Sequence, residues 1–166
     1  TGLRIGMAAA RGLAFAAGKP LIAVPTLDSL AASLPPLQEP VCALLDARKN
    51  QVYAACYNTA EKNESGMPLR LGPYLVCASS SLLARFTGPV ICIGPGLAAC
   101  DDAFIQHPLV RLAPAAMSLP RAATIGFCAA DLIQHGVQQA DPHPLYVRAS
   151  EAELNLAVQV RAGEQT

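Results

Sequence analysis

The sequence predicts an α/β domain built on a mixed sheet of about five strands flanked by helices. Three observations carry this expectation. Short apolar runs bounded by Gly, Pro and polar clusters recur at residues 41–45, 51–57, 70–77, 90–93 and 109–112. The first three follow one another through turn and loop signals, whereas the later ones alternate with helical patterns, so an antiparallel meander leads into crossover connections. Finally, hydrophobic residues make up 52% of the 166 residues and charged ones only 14%, against about 25% charged in a typical domain. So dry a chain suits a sheet buried on both faces, or a domain lacking part of its normal cover.

The elements follow in order. Thr1-Gly2-Leu3-Arg4-Ile5-Gly6 opens an alanine-rich helical pattern that runs to about Ala17 and stops at Gly18 and Pro20. Arg4 and Arg11 are seven apart and share one narrow polar seam; Leu, Ile, Met, Ala and Phe fill most of the remaining circumference. A helix this apolar is normally buried on two sides. Residues 21–24 read as a short strand. Pro25-Thr26 starts a helix with Thr26 as its cap and Leu27, Leu30 and Leu34 on one face, broken by Pro35-Pro36.

Residues 41–45 form a buried strand. Asp46-Ala47-Arg48-Lys49-Asn50 reads as a turn, and 51–57 as the returning strand of a hairpin. The polar stretch 58–68, with Gly66 and Pro68, is expected to be a mobile loop. A third strand covers 70–77, and Ser79 caps a helix through about Phe86. After the strand at 90–93, Gly94-Pro95-Gly96 turns the chain into a helix from about Leu97 to Ile105. The strand at 109–112 leads to Pro120 and the last long helix, 121–135, ended by Gly136. Asp141-Pro142-His143-Pro144 is an extended turn into Leu145-Tyr146-Val147-Arg148. This order outlines an RNase H-like domain, the half-unit of the actin/sugar-kinase/Hsp70 superfamily.

Formal net charge is zero, and no stripe of basic residues is present to neutralise a phosphate backbone. Binding of tRNA or DNA by the chain alone is not expected. The six cysteines, Cys42, Cys56, Cys77, Cys92, Cys100 and Cys128, form no C-x-x-C pair. Most lie in strand-like runs, so they read as small buried hydrophobes in a reducing cytosol. No run reaches the ~20 apolar residues that span a bilayer.

Motifs that suggest chemistry are weak. His107, His135 and His143 are scattered, and none forms the helical H-x-x-x-H pair that holds a catalytic metal. No metal ligand set and no catalytic residue is therefore expected. Gly94-Pro95-Gly96-Leu97-Ala98-Ala99 matches a glycine-rich phosphate loop after a strand, which makes Gly94 and Gly96 nucleotide-turn candidates. No Asp or Glu lies between Asp102 and Asp131 to bind a ribose, so the plain alternative is a tight strand-to-helix turn. Ser79, Ser80 and Ser81 have no His–Asp pair placed to activate them. Asp46 at the hairpin turn is expected to bond its own backbone two residues on, with Arg48 solvated; the pair is also a candidate partner contact. Tyr146 is expected to pack on the domain and Arg148 to pin the C-terminal segment.

Three stretches together resemble one family. Thr1-Gly2-Leu3-Arg4-Ile5-Gly6, followed by Arg11-Gly12-Leu13-Ala14, resembles the end of the TsaB (YeaZ) motif G-P-G-S-F-T-G-[LV]-R-I-G. Leu45-Asp46-Ala47-Arg48 with Val52-Tyr53-Ala54 resembles its I-D-A-R-x-x-E-V-Y hairpin, with Gln51 where the family often has glutamate. Pro144-Leu145-Tyr146-Val147-Arg148 resembles its P-x-Y-[LV]-R segment. The first motif is shared with the sister TsaD family.

The resemblance implies two tandem RNase H-like domains. On that reading residues 1–18 are an interface helix left from a truncated first domain, 19–150 are the second domain, and 151–166 are a polar C-terminal tail. A truncation would account for the absent methionine and the dry composition together. The resemblance further implies a cytoplasmic, non-catalytic scaffold for a TsaD-type threonylcarbamoyltransferase, which with a TsaE-type ATPase forms threonylcarbamoyladenosine in tRNA. ATP would be used by the partner subunits, no cofactor would be held by this chain, and tRNA would be met only through the complex. The implied partner surface is the first helix, with Leu3, Arg4, Met7, Ala10, Arg11 and Phe15 facing TsaD or a second copy. The alternatives are an ATP-binding enzyme of the sugar-kinase type or a glycoprotease-type metallopeptidase.

Overall fold

Val41, Cys42, Ala43 and Leu44 have no exposed surface, and the strand they begin, β1 (Val41–Asp46), is the centre of the sheet. The computed structural model describes residues 2–139 and 142–148. Strand β2 (Val52–Lys62) returns antiparallel to β1, with Val41 opposite Tyr57 and Asp46 opposite Val52. Strands β3 (Pro68–Arg70) and β4 (Leu75–Cys77) both pair antiparallel with β2. On the other side β5 (Val90–Ile93) runs parallel to β1, and β6 (Val110–Leu112) parallel to β5. The order β3-β2-β1-β5-β6, with β4 beside β2, makes a six-stranded mixed sheet.

Successive strand side chains alternate between faces, and both faces here are covered. On one, Val41, Ala43, Ala55, Tyr57 and Ile93 pack with Leu27, Leu30 and Ala31 of helix α2 (Thr26–Ala32). On the other, Cys42, Leu44, Val52, Ala54 and Cys92 pack with Leu82 of α3 (Ser79–Leu83) and Phe104 of α4 (Asp102–Ile105). Two-sided burial explains why the strands read as continuous apolar runs. A smaller cluster of Met67, Cys128 and Leu132 seats α5 (Ala122–Gln134), with Ile22, Val24 and Ala32 alongside. Asp28 of α2 is tied to the sheet by two phenols. Tyr57 Oη donates to Asp28 Oδ1 at 2.6 Å, and Tyr74 Oη reaches both carboxylate oxygens at 2.8 and 2.9 Å.

Several local expectations need correction. Among the described residues six strands are found where about five were expected, because the third strand divides at Gly72-Pro73 into β3, which starts earlier at Pro68, and β4; proline has no N–H for a ladder. Residues 21–24 form no strand. The side-chain amide of Gln139 stands where a neighbouring strand would, accepting from Ala23 N at 2.7 Å and donating to Ala23 O at 3.1 Å. The stretch 58–68 is no free loop: β2 continues through Lys62, and Asn63 Oδ1 accepts from Ser65 N and Met67 N at 2.9 and 3.1 Å, drawing Met67 inside.

Thr26 and Ser79 are first helical residues, not caps; Pro25 and Ala78 hold the N-cap positions without side-chain bonds. The helix from Ser79 ends at Leu83, short of Phe86. The helix expected over 97–105 is a 3-10 turn, Pro95–Ala99, followed by α4, whose true cap is Asp101 accepting from Phe104 N at 2.9 Å. The final helix ends as expected at Gly136, with φ of 73°. The expected tail, 151–166, lies outside the described residues.

Candidate partner interface

Helix α1 (Gly2–Ala16) contains no buried residue along its 15 positions. Its sequence makes it a sound helix: seven helix-favouring Ala and Leu residues propagate it. Gly18, with φ of 60°, ends it in a Schellman motif. Lys19 N donates to Ala14 O at 2.9 Å, and Gly18 N to Phe15 O at 3.1 Å.

The six interface residues expected on this helix divide into three groups. Leu3, Met7 and Ala10 follow one stripe that lines a cavity of about 1030 Å³ beneath the helix, shared with residues 21–27, Leu45, Tyr53, Tyr74 and the segment from Pro142 to Val147. Met7 and Ala10 are half-buried there. Arg4 and Arg11, the polar seam, hold the helix to its own domain: Arg4 Nε donates to Tyr146 Oη at 2.8 Å, and Arg11 Nη2 to Pro142 O at 2.5 Å. The Arg4 guanidinium also lies 5.6 Å from the Tyr146 ring centre. Phe15 belongs to the outer face and is 90% exposed.

That outer face also contains Ile5 and Leu13, at 64% and 75% exposure. Neither was among the expected contacts, although the helical period supplied the signal. Positions 3, 7, 10 and 14 share one stripe, which puts 5, 9, 12, 13 and 16 on the other side. Tyr146, expected to pack on the domain, meets α1 through Arg4 and stays 60% exposed. Arg148 does pin its segment. Its guanidinium bonds Gln51 Oε1 and lies 6.0 Å from the Tyr53 ring centre. Gln51, the residue that departs from the family pattern, is thus the acceptor at this clamp.

The hairpin tip is built as the sequence suggests. Asp46 Oδ1 accepts from Arg48 N at 2.7 Å, and the Arg48 side chain is 87% exposed, 3.4 Å from Asp46 Oδ2. Sequence does not foreshadow the backbone: Arg48, Lys49 and Asn50 all take positive φ, at 61°, 54° and 55°. Each such residue with a side chain costs about 1–2 kcal/mol, offset in part by Ala47 N donating to Gln51 O at 2.9 Å.

Gly94 and Gly96 are glycines because β1 passes directly against them. A Cβ on Gly94 would lie 2.2 Å from Leu44 O, and one on Gly96 2.6 Å from Leu44 C and Leu45 N. Packing on the sheet accounts for both. The histidines stay apart in local roles: His107 Nδ1 accepts from Leu109 N at 3.2 Å, and His135 Nδ1 lies 2.8 Å from Asp131 O. Among the described residues no group of three or more His, Cys, Asp or Glu could hold a metal ion. Nor is any helix among them long and apolar enough to cross a membrane.

The model of the TsaD family, described as tRNA N6-adenosine threonylcarbamoyltransferase, matches residues 1–156. No curated protein matches the chain. Two solved structures from Pseudomonas aeruginosa share the fold. One, an uncharacterized protein with similarity to peptidase YeaZ, is 25% identical with a TM-score of 0.64, over 89% of this chain and 68% of its own. The other, YeaZ itself, is 24% identical with the same TM-score of 0.64, over 86% and 67%.

Proposed function

This chain belongs to the TsaD family and is a YeaZ-like (TsaB-like) protein of tRNA modification, and on that premise we propose that it is a non-catalytic scaffold subunit, binding a TsaD-type threonylcarbamoyltransferase through the outer face of α1. The observation that carries the reading is the helix itself. Fifteen residues leave Ile5, Leu13 and Phe15 in solvent, whereas a lone soluble helix keeps its apolar stripe against a core. The partner supplies the chemistry on tRNA adenosine, and ATP is consumed by it and by a TsaE-type subunit. Contact with tRNA comes through the complex, and the setting is the cytoplasm. A second copy of this chain competes for the same helix face.

The test is calorimetry with the TsaD-type partner. Full burial of a side chain such as Phe15 contributes about 1.5–3 kcal/mol, so Phe15→Glu should weaken Kd by roughly tenfold or more with unchanged circular dichroism. Met7→Glu and Ala10→Glu, which place a charge in the cavity stripe, should weaken binding as well by displacing α1. Unchanged affinity in a folded Phe15→Glu protein would refute the scaffold face.

A further inference from the structure

Five of the six cysteines lie on one face of the sheet. Cys42 and Cys92 are buried in the cluster roofed by α3 and α4, with Cys56, Cys77 and Cys100 packed at its margin. Three of them stand side by side across adjacent strands, because Cys42 is in register with Cys56 on β2 and with Cys92 on β5. The two neighbours of Cys42 are not equivalent. Hydrogen bonds alternate along an antiparallel ladder. Ala47 N donates to Gln51 O, so counting back in twos makes Cys42 and Cys56 a non-hydrogen-bonded pair. The carbonyl of Cys56 confirms this by accepting from Leu71 N on the far side of β2 at 2.8 Å. Such pairs bring Cα atoms to about 4.5 Å, the closest spacing in a sheet, and within the range a disulfide spans.

We propose that Cys42 and Cys56 form a reversible redox-modification site, in which a hydroperoxide oxidises Cys56 and Cys42 then closes a cross-strand disulfide. Access sets the order: Cys42 and Cys92 have no exposed surface, whereas Cys56 is only half-buried. Electrostatics agrees. The Cys42 thiol lowers the pKa of Cys56 by hydrogen bonding, against the opposing effect of burial. Cys42 is itself pushed well up, first by its bond with Cys56, then by Cys92 and burial. The thiolate, which is the nucleophile, therefore forms on the outer sulfur. It attacks the peroxide oxygen, giving a sulfenic acid at Cys56 and releasing hydroxide or alcohol. The Cys42 sulfur then displaces the sulfenic hydroxyl. The S–S bond forms, the S–O bond breaks, and the Cys42 proton leaves in water. A dithiol reverses the step by exchange.

Arg48 and Lys49 lie between the two cysteines, so trypsin separates them unless they are joined. The folded protein is treated with limiting hydrogen peroxide, alkylated under denaturing conditions and mapped without reductant. The expected result is loss of two of the six thiols, a linked peptide pair holding Cys42 and Cys56, and recovery of both thiols with dithiothreitol. In Cys42→Ala the Cys56 sulfenic acid should persist and be trapped by dimedone; in Cys56→Ser, Cys42 should remain a free thiol. A dominant Cys42–Cys92 link, or a Cys56 that stays alkylatable while other cysteines oxidise, would overturn the proposal. If either variant fails to fold, the wild-type map decides alone.

Discussion

Helix α1 and strand β1 are both almost wholly apolar, yet they meet opposite fates. Val41 to Leu44 in β1 have no exposed surface, whereas α1 buries none of its residues. The strand has a layer on each side, α2 on one and α3 with α4 on the other. The helix meets its own domain along one stripe and through two arginines, and its outer face meets solvent. Apolar composition thus measures the capacity for burial; whether that capacity becomes folding energy or binding energy depends on which layer arrives to cover it.

The contrast can be broken most forcefully with two phenylalanines. Phe104 is fully buried and touches Phe86 with ring centres 6.1 Å apart. Phe104→Ala should cost about 3–5 kcal/mol in urea unfolding. Phe15→Ala on α1 should shift the same curve by no more than about 0.5 kcal/mol. A large loss for Phe15→Ala would mean that α1 is core and not contact surface.

The next effect concerns how α2 is held to the sheet. Asp28→Asn removes a charged acceptor shared by Tyr57 and Tyr74, and hydrogen bonds to charged groups are worth about 1.5–3 kcal/mol. A loss of that order is expected in chemical denaturation. The same site gives a pH dependence of known sign. Burial first, then the Asp28 charge and hydrogen bond, raise the pKa of both tyrosines above the ordinary value. The folded state then holds protons that the unfolded state releases above about pH 10. Stability from this site should be complete below that pH and fall as pH rises beyond it. In the folded protein, Tyr57 and Tyr74 should stay protonated beyond the ordinary phenol range; a rise in phenolate absorbance from Tyr74 below about pH 10 would contradict the network. A smaller change than at Asp28 is expected at the hairpin tip, where Lys49→Gly relieves one left-handed residue and should gain on the order of 1 kcal/mol, less the entropy glycine loses on folding. A net loss would show that the Lys49 side chain contributes more than its backbone costs.

Local chemistry alone made much of the molecule legible. The apolar runs at 41–45 and 90–93 read as strands from their length and bounding turns, and the Gly18 and Gly136 stops follow from a residue that accepts positive φ without strain. The Asp46 turn was equally plain, since an Asp at the first position of a turn bonds the backbone two residues on. The helix that forms the candidate interface could be picked out by its apolar girth. Its division into a cavity stripe, an arginine tether and an outer face could not, because Arg4 finds Tyr146 142 residues away.

Non-local pairing accounts for the remainder. Residues 21–24 have strand character, but a strand exists by virtue of its neighbour, and here Gln139 supplies a single amide instead. Residues 58–62 look polar and loop-like, yet β2 runs on through Lys62 with Pro68 paired opposite that lysine. The glycines at 94 and 96 resemble a phosphate loop in one dimension; in three they are the only residues that fit where β1 crosses. The row of thiols is the sharpest case. Cys42, Cys56 and Cys92 are spread over fifty-one positions and become neighbours through strand register alone. Periodicity and turn chemistry act over a few residues and are written locally, whereas register and face-to-face packing are set by which distant elements meet.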